Sequence, residues 1–347
     1  MNAGTYHLAL RELHEAAAAT FRVESGWSLP AHYGDIEAEY RALRTTAAVM
    51  DHSHRSRFIV AGTDAADVLS ATFNGHIAEL EEGRAMRAVS LRGTVIDDLV
   101  LIARTGGISY VVVGEASRRF ATLQRMQDAR ATDFDVRIDD RTDSTCWIAI
   151  AGPGSAQVAT AAFGEATASR TRFMQMAAFE FHGFRALAVR TSGIGEDGFE
   201  LMLAPAVAQH LLTTLAEMGV VFAGSEAYAI ARVEACLPAY EPDLAVGLTV
   251  AESDLATLLG MDESPSHRLL AAFVLDGDEP VAPGTPAMAR GVHAGEVRSC
   301  VYSSGLGATI GLAILESASA VPGIELHVAG RRGAVAAKPL FRRRAQT

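Results

Sequence analysis

The sequence predicts an α+β body followed by a small all-β domain. Up to about residue 240, helical patterns alternate with strand patterns of antiparallel character. From about residue 270, short strands are separated by turns rich in proline and glycine. The 347 residues, 49% of them hydrophobic, exceed one ordinary core and suit two or three domains.

Taken in order, Tyr6 to Phe21 reads as a helix, amphipathic from Leu8, with Arg11, Glu12 and Glu15 inside it. Ile36 to Thr45 is a second helix, with Glu37, Glu39 and Arg41 on its wet side. Arg57 to Val113 reads as strand, helix (Ala65 to Phe73), strand and strand, with Tyr110 to Val113 buried. Ala116 to Asp128 is helical. Trp147 to Ala151 is a strand feeding a helix after Gly152-Pro153. Pro205 to Glu217 is a helix with its proline at the tolerated first position. Residues 245 to 266 form a polar-apolar transition. Leu270 to Leu275, Ala308 to Leu315 and Ile324 to Val328 are strands, with Pro280, Pro283, Gly284, Pro286 and Pro322-Gly323 in their turns.

Composition narrows the function classes. The net charge of -11 argues against a nucleic-acid or anionic-membrane surface. Arg342-Arg343-Arg344 reads as a solvated tail, and Lys338 is the only lysine. Cys146, Cys236 and Cys300 are far apart and odd in number, which suits a reducing compartment without a disulfide frame. No signal peptide or membrane span is legible, so the expected location is the cytoplasm.

Two stretches carry chemistry. Arg190 to Glu200 holds three glycines and three carboxylates between the apolar runs Phe184 to Val189 and Leu201 to Ala204. It reads as a β-hairpin in which Glu200, resuming the strand, points into whatever the turn covers. A solvated acidic tip is the alternative. Val95 to Ile102 is a strand in which Asp98 shares a face with Ile96, Val100 and Ile102, and Asp97 shares the other with Val95, Leu99 and Leu101. Both faces are apolar, so at least one aspartate is expected to be drawn towards a low-dielectric surface, where desolvation raises its pKa; a strand end with both aspartates at a sheet edge is the alternative. His52 and His54, two apart, lack an evident third ligand, and no metal is assigned. Gly152-Pro153-Gly154-Ser155 is not a phosphate loop, since no Lys-Ser/Thr follows. No dinucleotide-binding glycine motif and no Gly-x-Ser-x-Gly elbow occur.

These stretches, in this order, resemble the aminomethyltransferase (T-protein) family of the glycine cleavage system and its folate-binding relatives. Gly26-Trp27-x-x-Pro30-x-x-Tyr33, Asp51-His52-Ser53-His54, Ile96-Asp97-Asp98-Leu99, Gly152-Pro153-x-x-x-Gln157, Gly195-Glu196-Asp197-Gly198-Phe199-Glu200 and Arg232-Val233-Glu234-Ala235 match that family's patterns. Gly295-Glu296-Val297 through Ser303, Gly307 and Ile310, then Lys338-Pro339-Leu340-Phe341, echo its last domain. The matches are collinear from about residue 20 onwards.

The resemblance implies a three-domain cloverleaf around a central ligand cavity. Residues 1–50 with 145–245 would form a discontinuous first domain, 51–144 a second, and 265–347 a C-terminal β-barrel. It implies transfer of a one-carbon unit from an amine-type donor to tetrahydrofolate, with Asp98 as catalytic carboxylate and Glu200 accepting hydrogen bonds from the pterin. Asp98, Arg232, Tyr228, Arg87, Arg55 and Gly193 join Glu200 as expected cofactor contacts. In the parent enzyme the donor rides on a lipoyl arm, so a lipoyl carrier protein is an expected partner beside a small-molecule substrate. A carrier of acidic surface would not be drawn to a chain of this charge.

Departures from the family pattern are specific. Ser192-Gly193-Ile194-Gly195 lacks the aromatic residue usual in that loop, and Tyr228 replaces an arginine that meets a folate carboxylate. Arg55 stands where methionine is common and Arg87 where tyrosine is common; the two either supply new anion contacts in the same cavity or are surface arginines. They therefore define two alternatives: a non-catalytic folate- or small-molecule-binding paralogue, and a demethylase of another methylated substrate. Relatives that assist iron–sulfur proteins carry Lys-Gly-Cys-Tyr-x-Gly-Gln; here Cys236 is followed by Leu237-Pro238-Ala239-Tyr240.

Overall fold

The computed structural model describes residues 4–164, 168, 170–262 and 264–341, so the Arg342–Arg344 tail lies outside the described residues. Two compact units emerge. One holds the described residues up to Leu91 together with Asp97–Ala227; the other holds Arg92–Ile96 and the residues from Tyr228 onwards.

The first unit is built on two larger sheets. A five-stranded sheet runs in the order Ala85–Arg92, Val95–Gly106, Ser109–Gly114, Ser56–Ala61 and Arg137–Asp140. The helices Ala65–Thr72 and Arg119–Asp128 contribute Val68, Leu69 and Met126 to its core, against Phe58, Val60, Val100 and Ile102. Each such side chain stabilises the fold by about 1.5–3 kcal/mol on full burial. A six-stranded sheet runs Met176–Phe181, Phe184–Thr191, Gly198–Leu203, Cys146–Ala151, Ala48–Asp51 and Val221–Phe222. Leu101, Ala103, Val111 and Val113 of the first sheet share a core with Trp147, Val189 and Met202 of the second. The carboxylate-bearing strands of the two sheets are thereby fixed within one packed body.

The hairpin expected around Arg190–Glu200 is present. Phe184–Thr191 pairs antiparallel with Gly198–Leu203, closing at Thr191 opposite Gly198. Its tip is not a solvated acidic loop. Ile194 is buried, its carbonyl accepts from Arg44 Nη1 at 2.9 Å, and Arg190 clamps Asp197 through two hydrogen bonds of 2.8 and 2.6 Å. Gly195, at φ 78°, supplies the left-handed step of the turn.

At the N-terminus the structure corrects the sequence. The helix covers only Arg11–Ala16, and Ala18 at φ 61° ends the helical path. Thr20–Glu24, rich in β-branched and aromatic residues, is instead a strand beside Trp27–His32, which also pairs with Tyr6–His7. The stacking of Tyr6 on Trp27, ring centroids 5.2 Å apart, helps to hold that pairing.

In the second unit a closed six-stranded barrel runs Arg268–Leu275, Ala308–Glu316, Val292–Ser303, Pro286–Ala289, Glu325–Val328 and Arg331–Ala336. Sequence pattern recovers three of these strands. Val292–Ser303 escapes because a register shift between Val297 and Ser299 breaks its alternation of apolar and polar residues. No described helix is long and apolar enough to cross a membrane.

Candidate active site

The strand Val95–Gly106 carries Asp97 and Asp98 at successive positions, and both are buried, at 3% and 0% exposure. The same helical segment satisfies them differently. Arg118 Nη2 and Arg125 Nη2 each reach Asp97 at 2.7 Å, giving a carboxylate held by two cations. Asp98 accepts from neutral donors: Thr122 Oγ1 at 2.6 Å and the Glu115 backbone N–H at 3.2 Å. Burial pushes the Asp98 carboxyl up to about 7, and the Glu115 carboxylate adds to the rise. The two hydrogen bonds and Arg55 pull the other way without prevailing.

Glu200 lies on Gly198–Leu203, paired across Ala149 of the neighbouring strand, and is 6% exposed. Trp147 Nε1 donates to its Oε2 at 2.7 Å and Thr191 Oγ1 to its Oε1 at 3.1 Å. Burial alone would raise this carboxyl. The guanidinium groups of Arg55 and Arg87, with His52 and the Trp147 N–H, outweigh it and hold Glu200 below its ordinary value. One carboxyl is therefore kept ionised while the other titrates near neutrality.

Arg55 occupies the turn between Ala48–Asp51 and Ser56–Ala61. Its Nη1 stands 3.9 Å from Glu200 Oε2 and its Nη2 3.7 Å from Glu115 Oε1. The turn is fixed from below by the fully buried Arg57, whose guanidinium donates to the carbonyls of Ser53, Arg55, Thr142 and Thr145. His52 and His54 share this turn with rings perpendicular and 6.1 Å apart. Burial drives the His54 ring down to about 3, and its enclosed Nδ1 has no hydrogen-bond partner. Among the described residues no group of three His, Cys, Asp or Glu side chains is placed to hold a metal ion.

Of the expected site residues in the first unit, Arg55 thus acts on both Asp98 and Glu200, and Arg87 acts on Glu200. Gly193 lies in the same unit, half-buried in the hairpin loop. Tyr228 and Arg232 belong to the second unit, on the helix Ser225–Glu234. Arg232 is committed there: it donates to Asp243 Oδ2 at 2.7 Å, the Leu237 carbonyl at 2.7 Å and Ser299 Oγ at 2.9 Å. Sequence reasoning missed Glu115, Thr122, Trp147 and Thr191. An indole inside an apolar strand reads as core, and nothing local announces that its N–H meets a carboxylate 53 positions away.

Comparison with known proteins is consistent along the whole chain. Residues 10–263 match the family described as GCVT N-terminal domain, and residues 268–342 the glycine cleavage T-protein C-terminal barrel domain. The chain is 30% identical over 366 residues to an aminomethyltransferase of Streptomyces avermitilis, covering 97% of this chain and 98% of that protein. It is 31% identical over 343 residues to one from Thermus thermophilus, covering 95% and 97%. The crystal structure of glycine cleavage system aminomethyltransferase T from Bartonella henselae superimposes with a TM-score of 0.88 at 23% identity, covering 97% and 98%, a likeness of fold.

Proposed function

The chain belongs to the glycine cleavage T-protein family of transferases, and on that premise we propose that it moves a one-carbon unit from an amine-type donor to tetrahydrofolate, with Asp98 as its catalytic carboxylate. The observation that carries this reading is the placing of Arg55 between two buried carboxyl groups: it reaches Glu200, which is held ionised, and Glu115, whose backbone N–H donates to Asp98, a carboxyl that changes charge near neutral pH.

The residues fit a reduced pterin. An ionised carboxylate offers about four acceptor positions. Trp147 and Thr191 take two at Glu200, leaving capacity for ring N–H groups of a ligand. When bound, tetrahydrofolate supplies the nitrogen that accepts the one-carbon unit. Asp98, ionised above about 7, stabilises positive charge developing on the transferred carbon and its nitrogen. Thr122 and the Glu115 N–H hold that carboxylate to one orientation, so little reorganisation accompanies the charge change. The donor is assigned by comparing a free aminomethyl-lipoamide with the same group on a lipoyl carrier protein.

The test is calorimetric titration with tetrahydrofolate and, in parallel, with a reduced pterin lacking the glutamate tail. Micromolar binding is expected, weakened about tenfold or more in Glu200→Gln by loss of a charge-assisted acceptor. Asp98→Asn should retain binding and lose transfer. Absence of binding by both compounds would refute the reading.

A further inference from the structure

Arg55 links the two carboxyl groups through a continuous set of contacts. At one end Trp147 Nε1 and Arg55 Nη1 converge on the same Glu200 oxygen, at 2.7 and 3.9 Å. At the other, Arg55 Nη2 meets Glu115 Oε1 at 3.7 Å, and the Glu115 backbone N–H donates to Asp98 Oδ1. The backbone of Arg55 is held in place. Its backbone N–H donates to the His52 carbonyl at 3.0 Å and its carbonyl accepts from the buried Arg57. A guanidinium presents two nitrogens in a rigid plane, so it addresses two acids in a fixed geometry that a compact, freely rotating ammonium does not impose.

We propose that Arg55 is a positioning residue that couples the two halves of the site, seating Glu200 for the ligand and, together with Glu115, setting the surroundings of Asp98. The inference rests on the reading of Asp98 and Glu200 as one folate site, but its main readout is made on the protein without ligand. The groups acting on Asp98 are Glu115, Thr122 and Arg55, with Asp97 next along the strand already held by Arg118 and Arg125. Those acting on Glu200 are Arg55, Arg87, His52 and Trp147, with Thr191 as a further donor.

Two substitutions should act with opposite sign. Removing the cation in Arg55→Met raises the pH at which Asp98 ionises. Removing the anion in Glu115→Gln lowers it. Arg55→Lys keeps the charge but not the rigid fork, and should give a smaller shift than Arg55→Met. Selectively labelled aspartate followed by carbon-detected NMR gives the titration, with the Asp98 signal identified by its loss in Asp98→Asn. Tetrahydrofolate affinity should fall about three- to tenfold in Arg55→Met, the range expected for a partly exposed ion pair. A thermal melt of each variant establishes that it folds, and a variant that does not fold is replaced by Arg55→Gln.

Opposite shifts of the Asp98 titration in the two variants support the coupling. Equal titrations in wild type, Arg55→Met and Glu115→Gln overturn it, as do shifts of the same sign. If wild type binds no folate while the titrations still move in opposite directions, the proposed function fails and the coupling stands.

Discussion

A β-carbon at position 114 would have no room. Gly114 ends the strand Ser109–Gly114 opposite Ser56, and an added Cβ there would lie 2.8 Å from Asp98 Oδ2, 3.0 Å from Ser56 Oγ and 3.2 Å from Val100 Cγ1. This glycine is required for space, and the space it leaves belongs to the Asp98 carboxylate. Asp98 is tied by two hydrogen bonds and cannot yield without losing one. Gly114→Ala is therefore expected to reduce one-carbon transfer at least tenfold while costing about 1–3 kcal/mol of stability, the range for overpacking. Chemical denaturation alongside kinetics checks it, and wild-type turnover in a folded Gly114→Ala protein would contradict the argument.

The helical segment Ala116–Asp128 is the element on which the site depends, because it partners both aspartates. Thr122 faces Asp98, while Arg118 and Arg125 bracket Asp97, and Arg125 Nη1 also caps the Leu91 carbonyl at 2.6 Å. Asp97 thus fastens the helix to the strand, leaving its neighbour free of a direct cation clamp. Asp97→Ala removes that fastening. Fully buried pairs lose about 3–5 kcal/mol on truncation; these arginines are 26% and 32% exposed, so solvent screening reduces the expected loss to about 1–3 kcal/mol. Urea unfolding measures it, and an unchanged midpoint would show that the helix is held by packing alone.

The two aspartates also show how far the sequence carries. Strand periodicity places both in apolar surroundings, and the hairpin pattern brings Glu200 back onto a strand. Which aspartate is neutralised by arginine and which is not depends on Arg118 and Arg125, some 20 to 28 positions away, and on how a helix docks; no local pattern encodes that. The N-terminal segment is misread for a related reason. Its apolar spacing suits a helix through Phe21, but the pairing of Thr20–Glu24 with Trp27–His32 overrides that local preference.

At the scale of the whole molecule, two buried groups give the stability profile opposite slopes. Asp98 ionises at about 7 in the folded chain against an ordinary value of about 3.9. The folded state therefore holds its proton more tightly, and the stability present below the unfolded value is lost as pH rises through about 7. His54 behaves in reverse. Its folded value of about 3 lies below the ordinary value of about 6.5, so stability present above 6.5 is lost as pH falls towards 3. Asp51, held below its ordinary range by His14 despite full burial, adds to the acid loss at still lower pH. Between about pH 4 and 6.5 the Asp98 and His54 contributions oppose each other, so a single melting curve conceals both. Single variants separate them. Asp98→Asn should gain in melting temperature relative to wild type as pH is raised from 4 to 8, because it lacks the charge that becomes costly. His54→Gln should gain relative to wild type as pH is lowered from 7 to 4, because it has no ring to protonate in an enclosed site. Differential scanning calorimetry across that range decides the matter. If either variant tracks wild type in parallel at every pH, the corresponding group is not held in the ionisation state its surroundings imply.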